Sequence, residues 1–260
     1  MTMMSMISDW RLKAPFFFCA FTLPFFTVAE PTPLPTLQLT PYTADYIVYR
    51  NGKSHGKAQR ELLQQQQQYT LRYQSEVSWM IFSDRREEKS TFILNGSQVQ
   101  PLEYTMTRRG TGPGRDYLIT MDPTKQELRV GKKQSLKTTP WYDEWLDQLS
   151  YHQQLAIDLA AGEREFSYEV LNRSGDAKTY HFRVVTEELL PLPYANVSAL
   201  RIERVEEDSD RQIYAWVAPE LDYLLVRLWR GENNVEQFDV QLHDVNWHQA
   251  KQQTDNVTTD

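Results

Sequence analysis

The chain has 260 residues, a net charge of −7, and 14 Tyr, 11 Phe and 7 Trp against one cysteine, Cys19. A chain of this length buries enough apolar surface to fold without metals or cross-links, so no disulfide framework or metal staple is required. Its acidic balance disfavours a nucleic-acid ligand, and nothing beyond the first thirty residues approaches the unbroken apolar length of a membrane helix.

Residues 1–29 read as a cleaved secretion signal. Arg11 and Lys13 form a short basic region, Ala14 to Phe26 is an apolar run too short to span a bilayer, and Thr27-Val28-Ala29 offers small residues before a cut at Glu30. Cys19 follows three phenylalanines, which is the wrong setting for a lipid-attachment site. Cleavage would remove that cysteine, leave 26 basic and 34 acidic residues, and deliver a periplasmic protein without thiol chemistry. The next segment, 30–41, carries four prolines and is expected to be an extended leader.

A single β-rich domain is expected over 42–247, with a polar tail at 248–260. Tyr42, Ala44, Tyr46 and Val48 alternate with polar residues, and Asn51-Gly52 turns the chain into a second strand. The glutamine run Gln64 to Gln68 marks a hairpin tip. From Tyr69 to Trp79 the alternation gives one dry and one wet face. The apolar knot Trp79-Met80-Ile81-Phe82 and the charged run Asp84 to Lys89 follow, the latter read as a solvated strand edge with ion pairs. Further strands run around Thr91 to Leu94, Leu102 to Met106, Tyr117 to Met121 and Leu128 to Val130.

Trp141 to Gly162 is the only long helical signal. Tyr142, Trp145, Leu146, Leu149, Ala156, Leu159 and Ala160 gather into one apolar stripe, with acidic residues and glutamines opposite. Asp147 can cap a restart of the helix, and Gly162 can take the left-handed conformation that ends it. Strands resume at Phe166 to Val170 and Tyr180 to Val184, continue through Leu200 and Ile202 to a charged tip at Glu206 to Asp210, and finish with Ile213 to Ala218, Tyr223 to Trp229 and Phe238 to Leu242.

The expected fold class is therefore mainly β: a strongly bent antiparallel sheet or incomplete β-barrel of about a dozen strands around one central α-helix. Two packed sheets are the alternative.

The strings TADYIVYRNG (Thr43 to Gly52), WMIFSDRREEKSTF (Trp79 to Phe92), RRGTG (Arg108 to Gly112), DQLSYHQQLAIDLAAG (Asp147 to Gly162) and AWVAPELDYLLVRL (Ala215 to Leu228) together resemble an exported bacterial family catalogued as domain of unknown function 3108. The resemblance spans roughly residues 42 to 245. It implies a periplasmic or surface-exposed β-rich protein of a Gram-negative envelope, and it supplies no catalytic residues.

Motifs for chemistry are weak. Gly52-Lys53-Ser54-His55-Gly56 matches a serine-hydrolase elbow, but a strand rather than a helix follows, so a plain turn is expected. Gly-Lys-Ser there lacks the earlier glycine of a phosphate loop, because Ile47 stands in its place. His55, His152, His181, His243 and His248 show no metal-ligand spacing and read as surface or packing residues; no cofactor or metal is expected.

Two groups are candidates for ligand contact. Arg108, Arg109 and Arg115 flank a glycine-rich loop able to hold an anionic head group, or to form a wide turn with solvated arginines. Trp79, Phe82, Tyr104, Trp141, Trp145, Trp216 and Trp229 can line an apolar cavity or fill a core. The expected function is a periplasmic binding or carrier protein for a hydrophobic or amphipathic envelope molecule, without catalytic activity. The alternatives are an envelope protein–protein interaction module with a filled core and, last, a hydrolase acting on lipid or glycan. Expected partners are a hydrophobic or anionic envelope ligand or an envelope protein, with no nucleic acid and no transmembrane segment after signal cleavage.

Overall fold

A computed structural model describes residues 37–79, 81–205, 210–233 and 235–248. The signal region, the leader up to residue 36, most of the 206–210 tip and the tail from residue 249 lie outside the described residues. No helix among the described residues is long and apolar enough to cross a membrane.

Among the described residues fourteen strands form one antiparallel sheet. The first run is β1 (Tyr42–Arg50), β2 (Lys53–Gln65), β3 (Gln68–Trp79), β4 (Phe82–Asn95), β5 (Gln98–Gly110), β6 (Arg115–Asp122), β7 (Glu127–Val130) and β8 (Ser135–Leu136). After one helix, α1 (Tyr151–Ala160), come β9 (Glu165–Leu171), β10 (Ala177–Pro191), β11 (Asn196–Val205), β12 (Arg211–Ala218), β13 (Leu224–Glu232) and β14 (Val235–Trp247). Each run is a meander, and β1 joins them by pairing with β14, giving the order β8-β7-β6-β5-β4-β3-β2-β1-β14-β13-β12-β11-β10-β9. Tyr42 faces Trp247 and Val48 faces Val240 across that junction, with a bulge between Asp45 and Tyr46 that adds twist.

Alternation decides which side is dry. In β1 the residues Tyr42, Ala44, Tyr46 and Val48 are buried, and in β3 Tyr69 and Leu71 are buried on the same side of the sheet as Tyr73, Ser75 and Val77. An array this long must curl to cover that face. It does so without closing into a ladder: β8 and β9, the two ends, share no strand pairing. The turn between β9 and β10 nevertheless lies against β7 and β8. Gly175, at φ +75°, is so close that a Cβ there would stand 2.7 Å from Val130 Cγ1, and Lys137 Nζ reaches Asp176 Oδ1 at 3.0 Å.

The helix is shorter than its sequence pattern. Residues 141–150 are irregular, and α1 begins at Tyr151, for two local reasons. Leu146 is drawn beside β9, where its N–H donates to Glu169 O at 2.9 Å and its carbonyl accepts from Leu171 N at 2.8 Å. This also covers the open edge of β9. Asp147 Oδ1 then accepts the N–H groups of Leu149 and Ser150, each at 2.8 Å, so a side chain competes with helical bonding until Ser150. Gly162 ends the helix at φ +97°.

The glutamines of α1 are not on a wet face. Gln153 and Gln154 are buried with Leu155, Ile157 and Leu159. Gln154 Oε1 accepts from Val99 N at 2.7 Å, and its Nε2 donates to Ser97 O at 3.2 Å, fastening the helix to the β4–β5 turn. Helix and sheet are thus joined by polar contacts as well as apolar ones, because Gln154 satisfies backbone groups that α1 would otherwise cover.

Candidate ligand-binding site

Between α1 and the concave face of the sheet lies a cavity of about 730 Å³. This is within the size range of small-molecule sites. Its apolar wall comes from both meanders and the helix: Val48, Leu62 and Val77 from one, Ile202, Ile213, Val217, Leu228 and Val240 from the other, and Leu155 and Ile157 from α1. The charged lining is Arg50, Arg60, Arg86, Arg204 and Arg230 against Asp84, Glu88 and Asp222, so an acidic protein has an interior richer in arginine than in carboxylate.

Most of these charges are engaged. Arg86 Nε lies 2.7 Å from Glu88 Oε1, an ion pair without hydrogen-bond alignment. Glu88 Oε2 accepts from the Tyr104 hydroxyl, and burial together with that carboxylate pushes the Tyr104 phenol up. Asp84 pairs with Arg108 at 2.8 Å, Asp222 accepts from Thr40 at 2.7 Å, and Arg230 reaches Glu232 at 3.3 Å.

Arg60 is different. It is 5% exposed and its guanidinium donates from Nε to Tyr42 Oη at 2.9 Å and meets His152 Nδ1 at 2.8 Å. Among the described residues it forms no ion pair. Burial, and then the nearby guanidinium groups of Arg60 and Arg86, hold His152 well below the usual imidazole range. A neutral imidazole facing a guanidinium must accept at Nδ1, which places its proton on Nε2. Burial also pushes the phenols of Tyr46, Tyr73 and Tyr151 up, so none of them offers a phenolate as counter-ion.

Deeper in the same interior a carboxylate is handled the other way. Asp147 is fully buried and accepts from the Ser90 hydroxyl at 2.5 Å as well as from Leu149 and Ser150 N–H. Burial still outweighs these bonds and raises its carboxyl to about 6.

The ten residues singled out from sequence are dispersed. None of the nine whose side chains are described lines the cavity; the Trp79 side chain lies outside the described residues. Phe82 is 54% exposed at the β3–β4 tip beside Ile81. Tyr104 is buried behind Glu88. Trp141 and Trp145 pack edge-to-face on each other in the segment before α1. Trp216 and Trp229 lie on the opposite face of the sheet, where Trp216 donates to Glu188 Oε1 at 2.6 Å and Trp229 to Glu236 Oε2 at 2.9 Å. Arg108 and Arg109 are held by Asp84 at 2.8 Å and Asp116 at 2.6 Å, while Arg115 is exposed. The three arginines share one hairpin end; none of them lines the cavity, although Arg108 is paired to the lining residue Asp84.

What sequence reasoning missed follows from strand parity. The run Asp84 to Lys89 is not an edge, since β4 is paired with both β3 and β5. Arg86, Glu88 and Ser90 share the parity of buried Phe92, whereas Arg85 and Lys89 pair with Glu76 and Glu103 on the wet side. Arg60 likewise sits between buried Ala58 and Leu62. His152, which reads from sequence as a surface or packing residue, faces the cavity. Ser54 is exposed in β2, two residues from the Asn51–Gly52 turn, and does not line it.

The family profile of a protein of unknown function, DUF3108, matches residues 42–234. The chain belongs to the DUF3108 family. Among solved structures, this DUF3108 protein is similar to a beta-barrel-like protein of domain of unknown function DUF1849 from Brucella abortus, at 10% identity and a TM-score of 0.54, covering 82% of this chain and 100% of that one. Such a likeness shows a shared fold and nothing about chemistry. A DUF1089 family protein from Pseudomonas aeruginosa matches at 8% identity with a TM-score of 0.40, covering 68% of this chain and 90% of that one. No curated protein matches the chain. Arg60 and His152 fall within the matched DUF3108 segment, while β14, which completes the cavity wall against β1, lies just beyond it.

Proposed function

We propose that this DUF3108 protein is an exported, periplasmic binding or carrier protein for a hydrophobic or amphipathic envelope molecule. The observation that supports this is the cavity of about 730 Å³, walled by apolar side chains of both meanders and α1. A curved sheet that fills its concave side with its own side chains gains packing energy; leaving that volume open forgoes it, on the order of 20 cal/mol per Å³ in engineered cavities. A guest restores those contacts. Export rests on the basic region, short apolar run and small residues of 1–29. The interaction-module alternative supposed a filled core, and the open interior weighs against it.

Native mass spectrometry of protein purified from its own host tests the proposal. The expected spectrum shows a small molecule bound to the folded chain and released on denaturation. A clean mass of the polypeptide alone, combined with no uptake of apolar probes, would return the interaction module to first place.

A further inference from the structure

We infer that Arg60 is the anion anchor of the cavity, and that the ligand is a single-chain amphiphile ending in one oxyanion, carboxylate or phosphate. The inference rests on the carrier reading and adds to it the chemical class and orientation of the guest.

Three observations carry it. Arg60 is 5% exposed, lines the cavity, and among the described residues its guanidinium has only the Tyr42 hydroxyl and the neutral His152 imidazole as hydrogen-bond partners. A guanidinium has five donor hydrogens in a planar fork, so these two contacts leave donors unused. Withdrawing a cation from water without a counter-charge is unfavourable, and such a group is prepared for an anion that completes its hydrogen bonding. Second, its two partners fix the direction of the fork, since Tyr42 comes from β1, the strand beside β2, and His152 from α1. Third, the remainder of the lining is mostly apolar, and at about 30 Å³ per water-sized group the cavity of about 730 Å³ holds roughly two dozen such groups. That is the size of one long alkyl chain with its head. The head would sit at Arg60 and the tail along Leu62, Leu155 and Ile157.

The test is displacement of the neutral fluorophore N-phenyl-1-naphthylamine from the purified, delipidated full chain. Competitors are oleate, oleoyl lysophosphatidate, oleyl alcohol and inorganic phosphate. Either anionic chain is expected to displace the probe at about a tenth of the concentration the alcohol needs, or less; phosphate alone is expected to do nothing. Whichever of oleate and lysophosphatidate is stronger identifies the oxyanion. Arg60→Met should lose the preference for the acid over the alcohol, while Arg60→Lys should retain part of it. Equal potency of acid and alcohol in the native protein overturns the inference, as does a preference that survives in Arg60→Met; both leave the carrier reading standing. Displacement by phosphate alone also overturns it, because the tail would then be irrelevant. If neither the probe nor any chain binds, both readings fall. Should Arg60→Met not fold, the comparison of acid with alcohol in the native protein decides.

Discussion

Asp147 and Arg60 are buried charges of opposite sign in one interior, and neither has a counter-ion among the described residues. They differ in what surrounds them. Asp147 is sealed at the start of α1 by Ser90 and two backbone N–H groups and does not line the cavity. Arg60 borders the cavity and has donors to spare. The first is a structural device, in which a carboxylate ends the irregular segment and aims the helix. The second makes sense in terms of something that is not part of the chain. Burial alone does not separate the two roles; the satisfaction of each group and the space next to it do.

The sharpest way to break this contrast is at Asp147. Asp147→Ala would leave the Leu149 and Ser150 N–H groups and the Ser90 hydroxyl buried without an acceptor, and is expected to lower stability by about 3 kcal/mol in urea unfolding. Probe binding per folded molecule should not change. If alanine there is neutral, the sealed carboxylate is not what organises the helix start.

The pH dependence tests the same group. With its folded carboxyl raised to about 6 from the ordinary 3.8, the folded state holds the proton more tightly than the unfolded one. Its contribution is complete below the unfolded value and is lost as pH rises through about 6, a change of up to about 3 kcal/mol for this residue. Comparing urea midpoints between pH 4 and pH 7 in native protein and Asp147→Asn isolates it. The native protein should lose more stability over that interval than the variant, and parallel curves would refute the assignment.

Arg60→Met sharpens the other side. Removing an unpaired cation relieves its desolvation while leaving Tyr42 and His152 short of one partner, so the net change in stability should stay within about 1 kcal/mol. Thermal or urea unfolding reads this directly. A loss as large as that of Asp147→Ala would place Arg60 with the structural charges. The smallest effect is expected from Arg108, Arg109 and Arg115 changed together to alanine. The ion pairs of Arg108 and Arg109 are worth about 0 to 1 kcal/mol each, and fluorophore displacement should be unaltered, since none of the three lines the cavity. Weakened capture in that variant would restore the loop to the site.

Much of the architecture is legible in period-two alternation. The dry faces of β1 and β3, the hairpin at Asn51-Gly52 and the single helix ending at Gly162 all follow from local pattern, because a half-buried strand writes its burial into every second residue. The pairing of β1 with β14 does not follow, since register between segments two hundred residues apart is set by tertiary packing. Trp141 to Ser150 carries a helical period yet is claimed by the edge of β9 and by the Asp147 side chain, both invisible to a periodicity count. The site residues fared differently. Choosing large aromatics and a glycine-rich arginine loop led to a strand tip, the core, the segment before α1, the opposite face of the sheet and a hairpin end, whereas Arg60, Arg86 and Glu88 were marked by charge standing at dry parity. That signal was present in the alternation itself.

The sheet's two ends meet at Gly175, Val130 and the Lys137–Asp176 pair, not along a hydrogen-bonded row. Parting two neighbouring strands anywhere else would break a series of backbone bonds together, but parting this seam breaks the solvent-screened Lys137–Asp176 ion pair, the Arg173 hydrogen bond to the Tyr117 hydroxyl at 3.3 Å with its guanidinium-over-ring contact, and a few van der Waals contacts. The wall therefore has a built-in weak line, and widening of the interior would begin there, with the remaining thirteen strand junctions intact.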